Sequence, residues 1–478
     1  MRKPPHRFDK TCDAGDVERA HGALAPGGES GVTVAVAGRL MRSRPQGKLF
    51  FGELRDWTGS VQLFGLEATT PDFDELCRCS LGDWLGATGE VVRTKRGELS
   101  VKVASWELLA EARRGFGDKW RGLRDPDIRY RQREVDLWAN DGVRETFLLR
   151  SKVVASLRSR LGERGFVEVE TPVLHPVPGG ATARPFVTRY NALHTDFFLR
   201  IATEIYLKRC VVGGLERVYE IGRIFRNEGL SPRHNPEFTM LELYEAYADY
   251  TDIMVLVEEL VSGVCEEVLG TTTLTYQGRE LDLKAPWRRA TMVELIAEHA
   301  GEEVSLEMGV AELRRVAKRH DVAYEERYGP GKLLLEIYEK TTEVELWGPV
   351  FVCDYPEEVS PLARSHPTKP GYVERFEAIV AGRELCNAFS ELGDPDEQRA
   401  RFTTQEAERV AGDDEAMPVD WEYLRALEHG LPPTGGLGIG IDRLVMLYAD
   451  KANIKEVLLF PALRPQARPG PAELEEDA

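Results

Sequence analysis

Phe225-Arg-Asn-Glu-Gly-Leu-Ser-Pro-Arg-His-Asn-Pro-Glu-Phe238 sets Arg226, Arg233 and His234 beside Glu228, Asn235 and an aromatic, between two strand-like runs. Arg226 and Arg233 carry planar donor forks that suit phosphate or carboxylate. Glu228 can accept from an exocyclic amine, and Phe238 can stack on a purine. These are the groups needed to bend and activate ATP. A solvated, charged hairpin loop has a similar composition, so the loop alone does not decide between the two readings.

The next stretch, Phe238-Thr-Met-Leu-Glu-Leu-Tyr-Glu-Ala-Tyr247, reads as a strand, and strand side chains alternate between faces. Phe238, Met240, Glu242 and Tyr244 therefore share one face, and Leu241 and Leu243 the other. The pattern recurs in Glu384-Leu-Cys-Asn-Ala-Phe-Ser-Glu-Leu392, where Asn387, Phe389 and Glu391 fall together. Two such strands suggest the floor of a polar, acid-lined pocket.

Two further stretches complete the pattern: Phe166-Val-Glu-Val-Glu-Thr-Pro172 and the Gly-rich Gly436-Leu-Gly-Ile-Gly-Ile-Asp-Arg443. In chain order the three segments resemble motifs 1, 2 and 3 of the class II aminoacyl-tRNA synthetases, in the form used by lysyl-tRNA synthetases. The resemblance runs from about residue 32 to Pro465.

Composition is compatible with this. A chain of 478 residues predicts two or more domains, and 42% hydrophobic with 30% charged residues describes a soluble globular protein. Apolar runs such as Leu444–Tyr448 fall far short of the ~20 residues that span a bilayer. The N-terminus lacks the apolar segment of a signal peptide. Seven scattered cysteines argue against a disulfide framework and for a reducing cytoplasm; Cys77 and Cys79 read as ordinary thiols. The net charge of −18 does not exclude a nucleic-acid partner, because binding depends on local patches. Arg39, Arg42, Arg44 and Lys48 form one basic cluster; Arg93, Lys95, Arg96 and Lys102 form a second. Arg129, Arg131 and Arg133 form a third, and each taken alone reads as a solvated face.

The expected fold class is α+β. An N-terminal five-stranded OB-type β-barrel precedes a class II catalytic domain with a mixed, mainly antiparallel sheet flanked by helices. Residues 1–30 read as a partly ordered lead-in. The barrel occupies 31–110, with short strands at Val32–Val36, Leu49–Leu54, Gly59–Phe64, Trp84–Val92 and Leu99–Val103 and a hairpin at Lys95-Arg-Gly97. Residues 111–140 look like a hinge, and 141–466 like the catalytic domain with an insertion at about 250–345. Phe147–Arg164 has the spacing of an amphipathic helix, and Met308–His320 is also helical in pattern. The acidic stretch 467–478 is expected to be a disordered tail. Barrels of this kind bind single-stranded nucleic acid on aromatics inside a basic rim, although periodicity alone would put Phe51 in the core.

The resemblance implies an ATP-dependent lysine–tRNA ligase that forms lysyl-adenylate and transfers lysine to tRNA(Lys). Catalytic roles fall to Arg226 and Arg443, and ATP binding to Arg226, Glu228, Arg233, His234, Asn235, Phe238 and Arg443. An ion pair of Arg443 with Asp442 or a nearby Glu is the less favoured alternative. Lysine binding falls to Gly180, Glu204, Glu242, Tyr244, Asn387, Phe389 and Glu391. Acceptors at two ends suit a diamino acid better than aspartate or asparagine. Phe51, Gln62 and Glu98 match anticodon-reading positions. Glu377 and Glu384 flank the Ala381-Gly382 turn and would hold Mg²⁺ shared with phosphate oxygens. A cytoplasmic homodimer with no membrane segment is implied. The alternative is a paralogue that passes lysyl-adenylate to a protein, although such paralogues lack the barrel.

The chain also departs from the family pattern. Its lead-in is short, and Ser43 stands where a basic residue is common. Thr203 precedes Glu204 where Pro is usual. Gly435-Gly436 replaces Ala-Gly, which is expected to remove one methyl near the pocket and loosen selectivity.

Overall fold

In the computed structural model five strands close into a barrel in the order β1-β2-β3-β5-β4: β1 (Glu29–Gln46), β2 (Leu49–Arg55), β3 (Ser60–Leu66), β4 (Trp84–Arg93) and β5 (Leu99–Ala110). The structure describes residues 4–114, 123–229, 231–412 and 416–466. The 467–478 tail and residues 115–122 of the expected hinge lie outside the described residues. Val36, Leu40, Phe50, Leu54, Leu63, Val91 and Val101 point inward and are fully buried, as alternation along each strand requires. β1 is longer than its Val32–Val36 signal because it pairs with both β4 and β2. The lead-in carries its own helix, Ala14–His21, which adds Ala14 and Val17 to the barrel core.

A separate compact unit spans Pro126–Arg464. Its first strand, β6 (Val167–Glu168), is shorter than Phe166–Pro172 suggested. A three-stranded sheet follows, made of β7 (Leu174–His175), β8 (Val187–Tyr190) and β9 (Thr195–Leu199). Next come β10 (Arg217–Phe225), β11 (Glu237–Ala246), the hairpin β12 (Thr273–Tyr276) and β13 (Arg279–Asp282), and β14 (Arg288–Thr291). The last four are β15 (Val350–Pro356), β16 (Tyr372–Ile379), β17 (Glu384–Ser390) and β18 (Thr434–Gly440). The central sheet has eight strands in the order β14-β15-β16-β17-β18-β11-β10-β6. It is antiparallel except at its two edges, where β14 joins β15 and β6 joins β10 in parallel.

One face of this sheet is the core. Leu241, Leu243, Ala388 and Ile439 pack there against the helices Val143–Glu163, Tyr250–Leu269 and Ile441–Tyr448. The first of these helices begins one turn before the expected Phe147. The segment 250–345 does more than decorate the fold. Its first helix enters the main core, β14 extends the sheet, and helices Met292–Ala300, Gly309–Arg319 and Pro330–Thr341 build a second core.

The third basic cluster is not a solvated face. Arg133 is buried and donates to the carbonyls of Lys455, Leu458 and Leu459. Arg129 pairs with the buried Asp136, and Arg131 with Asp127. Arg133 and Arg129 are anchored on buried partners, while Arg131 and Asp127 pair at the surface.

Candidate active site

The opposite face of the sheet floors a cavity of about 460 Å³. Phe238, Met240, Glu242 and Tyr244 enter it from β11; Asn387, Phe389 and Glu391 enter from β17 and its end. Between them runs β18. Gly436 is paired with Tyr244 on one side and Phe389 on the other, and Gly438 with Glu242 and Asn387. The glycines keep the floor low between two rows of large side chains. A Cβ on Gly436 would overlap Glu391 Oε1 and approach Tyr244 Cε1 at 2.6 Å.

Gly435 does not share that role. A Cβ there would meet Ile253 Cγ1 at 2.6 Å, on the helix-packed side of the sheet. The methyl that the family pattern has at this position therefore faces the core, and the expectation that its loss opens the pocket is overturned. Alternation along β18 is the reason.

Gly180, Glu204, Arg226, Glu228, Arg233, His234, Asn235, Glu377, Glu384 and Arg443 line the same cavity. Gly180, with φ +87, lies against Ala202 and Glu204. The loop between β10 and β11 is shaped by Ser231, whose hydroxyl accepts from the backbone N–H of Arg233 and of His234 and faces His234 Nδ1 at 3.0 Å. The Arg226 guanidinium lies 5.2 Å from the Phe238 ring centroid. Asn235 differs from its neighbours: it is buried, donates to the Glu237 carbonyl at 2.6 Å and accepts from Ala462 N–H at 3.1 Å. Its side-chain amide is committed to holding the loop.

The ion pair set aside for Arg443 is present, with Glu384. Arg443 Nη1 donates to Glu384 Oε2 at 2.9 Å and to the Glu384 carbonyl at 2.7 Å. Asp442 instead pairs with Arg150 at 2.5 Å and accepts from Thr239 N–H. Burial works against the Glu384 carboxylate, but Arg443, with Arg226 and Arg375, holds the group below its ordinary value. Glu377 moves the other way, pushed up by burial and by Glu384. Glu343 is pushed up to about 7 by burial and by Glu377, Glu339 and Glu384. The carboxyls of this corner repel one another, and burial adds to the effect.

At the other end, Glu204, Glu242 and Glu391 are all buried. Burial pushes Glu242 up to about 7, against the hydrogen bond it accepts from the Thr203 backbone. Glu391 Oε1 is buried and has no hydrogen-bond partner. An unmatched buried carboxylate oxygen is costly unless a donor arrives.

Sequence reasoning missed two residues here. Arg375 donates to Asn387 Oδ1 at 3.0 Å and to Glu377 Oε1 at 2.6 Å, tying the two ends of the cavity together. It sits two positions before Glu377 on β16, and strand alternation could have placed both on one face. Lys208, enclosed behind Glu204 and Glu391, lies one helical turn after Glu204, a spacing that was also readable.

In the barrel, Phe51, Gln62 and Glu98 line one groove of about 940 Å³ with Arg42, Arg44, Lys95, Arg96 and Lys102. Phe51 is stacked on Phe64, with centroids 5.3 Å apart and planes 15° from parallel. Its neighbour Phe50 is the core residue, fully buried, so the core reading of Phe51 fails on parity. Gln62 donates to Ser100 Oγ at 2.8 Å.

A family model described as tRNA synthetases class II (D, K and N) matches residues 125–464, and one for an OB-fold nucleic acid binding domain matches 34–109. The chain is 52% identical to a lysine–tRNA ligase of Synechococcus sp. (strain CC9605), across 98% of this chain and 93% of that one. It is 51% identical to a lysine–tRNA ligase of Prochlorococcus marinus (strain MIT 9313), across 97% and 93%. A Clostridium perfringens (strain 13 / Type A) lysine–tRNA ligase is 49% identical, across 96% and 92%.

Proposed function

The chain belongs to the lysine–tRNA ligase branch of the class II tRNA synthetases, and from that premise we propose how its residues activate L-lysine with ATP and charge tRNA(Lys). The observation that carries the reading is the buried carboxylate set Glu204, Glu242 and Glu391, with Glu391 Oε1 unpartnered, beside Tyr244 and Phe389. A ligand with two ammonium groups and an aliphatic stem satisfies it. Glu204 and the Gly180 backbone take the α-ammonium. Glu242, Tyr244 and Glu391 take the ε-ammonium, and Phe389 packs along the stem. Arg375 already occupies Asn387 Oδ1, which leaves the Asn387 amide N–H groups to donate to the carboxylate.

Phe238 and Tyr244 are six residues apart on one strand face, a span of roughly 20 Å at ~3.3 Å per residue. That length accommodates an aminoacyl-adenylate. Phe238 and Arg443 sandwich the adenine, Glu228 accepts from its amino group, and Arg233 and His234 reach the outer phosphates. Arg226, beside Phe238, bridges the substrate carboxylate and the α-phosphate. A carboxylate oxygen then attacks the α-phosphorus in line and pyrophosphate leaves. The terminal ribose of tRNA attacks the carbonyl next, releasing AMP. Alignment and charge neutralisation carry both steps.

The mutual repulsion of Glu377, Glu384 and Glu343 fits a divalent cation. Among the described residues no group of three or more His, Cys, Asp or Glu side chains forms a ready metal cage. Mg²⁺ held by Glu377 and Glu384 would take its remaining oxygens from phosphate and water, as this ion commonly does. When bound it neutralises phosphate charge.

The barrel groove, with Phe51, Gln62 and Glu98 inside a basic rim, supports anticodon reading. Val167, Leu174, Val187 and Leu193 expose an apolar surface around β6–β9, which supports a homodimer; a fully active monomer at nanomolar concentration would refute it. No described helix is long and apolar enough to cross a membrane, and all seven cysteines are free thiols, as suits a cytoplasmic enzyme. Pyrophosphate exchange with a panel of amino acids, followed by charging of bulk tRNA, tests the whole reading. Preference for any amino acid other than lysine would overturn it.

A further inference from the structure

Lys208 has no exposed surface, yet two carboxylates favour its charged form. It lies on the helix Glu204–Val212, one turn beyond Glu204. Its ammonium sits 2.5 Å from Glu204 Oε1 and is paired with Glu391 Oε2. The rings of Tyr244, Phe389 and Tyr423 surround it at 6.0, 5.5 and 5.8 Å, within range of cation–π attraction. Lys208 is not among the residues lining the cavity. It approaches the two carboxylates from behind and leaves Glu391 Oε1 to face Gly436.

Glu204, Glu242 and Glu391 together carry three negative charges when ionised, and Lys208 offsets one. Two remain, the number of ammonium groups on lysine. Resting on the lysine reading above, we propose that Lys208 is a positioning and specificity-determining residue. It is the internal counter-cation that fixes one oxygen each of Glu204 and Glu391, aims the others at the substrate, and matches the pocket to a diamino acid.

The surrounding groups agree. Burial opposes the Lys208 charge, but Glu204 and Glu391 hold the ammonium well above its ordinary value. Burial also holds the Glu204 and Glu391 carboxyls up, and Lys208 leads the groups that draw them down, with Arg375 acting further on Glu204. Glu242 and Tyr244 face the same cluster from β11, and Tyr423 from the helix Trp421–Leu427. Without Lys208, two buried carboxyls would lie together with no cation between them, and a proton would be held on the pair more tightly still. Lysine binding would then have to expel it.

The test compares full-length wild type with Lys208→Met, which keeps the length of the side chain and removes its charge. Pyrophosphate exchange is measured against lysine concentration from pH 6 to 9. The variant should show a lysine KM at least roughly tenfold higher at neutral pH, with the KM for ATP unchanged. Its log KM for lysine should depend more steeply on pH, by about one proton. A variant with the wild-type KM and pH profile overturns the proposal. Should Lys208→Met fail to fold, Lys208→Ala is melted with propylammonium or with 1-propanol. Stabilisation by the cation alone supports the proposal; equal stabilisation, or none, overturns it. Wild type that ignores lysine would instead refute the lysine reading of the pocket, a separate outcome.

Discussion

The backbone N–H of Thr203 donates to Glu242 Oε1 at 3.0 Å, a bond that the proline common at this position in the family could not make. Glu242 is thus held towards its ionised form by a donor peculiar to residues with an N–H here, although burial still pushes it up to about 7. Lysine needs the carboxylate, so the KM for lysine should rise as pH falls below about 7. Thr203→Pro should move the onset of that rise to higher pH by about one unit, the equivalent of ~1.4 kcal/mol. Identical pH profiles for the two proteins would dismiss the coupling.

Glu391→Gln should impair lysine activation severely and leave ATP binding nearly intact. The lost charge faces a desolvated ammonium, and removal of one such partner costs ~2–5 kcal/mol. Steady-state pyrophosphate exchange gives the answer, and a wild-type kcat/KM for lysine would show the pocket assignment to be wrong.

Gly436→Ala and Gly435→Ala should part ways. At 436 the new methyl overlaps Glu391 Oε1, so lysine activation should collapse while ATP still binds. At 435 it presses on Ile253, and overpacking of about 1–3 kcal/mol should lower the melting temperature without changing the KM for lysine. A Gly435→Ala variant with altered amino-acid selectivity would reinstate the opposite orientation.

The unliganded protein should become more stable as pH falls from about 7 towards 5. Glu242 and Glu343 are both pushed up to about 7. A carboxyl raised in the folded state binds more protons there than in the unfolded chain between about 4.5 and 7. Stability is therefore lost as pH rises through that window, by of order 1–3 kcal/mol per group. Glu343→Gln should flatten the dependence, and MgATP with lysine should remove most of it at pH 8. Melting curves that are steeper in the Gln variant would contradict this.

Phe51→Ala should reduce kcat/KM for tRNA roughly tenfold or more, because base–aromatic stacking is worth ~1–3 kcal/mol. Pyrophosphate exchange without tRNA should be untouched, since Phe51 belongs to the barrel groove and the cavity to the other unit. Unimpaired charging would mean that Phe51 stacks on Phe64 and on nothing else.

By itself the sequence determined which side chains share a face. Alternation along a strand is a local property, so Phe238, Met240, Glu242 and Tyr244 were bound to appear together, as were Asn387, Phe389 and Glu391. The Arg226–Phe238 string and the Gly436–Arg443 string carried the family for the same reason: their chemistry lies within a few consecutive residues. Tertiary structure alone decided what those faces meet. Strand order placed β18 between β11 and β17, and its register set Gly436, not Gly435, opposite Tyr244 and Phe389 within the cavity. The contacts of Lys208 with Glu391, Arg443 with Glu384, Arg375 with Asn387 and Thr203 with Glu242 join separate elements. Their charges and donors pair only once packing has excluded water, and no local pattern encodes a partner that the folded chain brings from elsewhere.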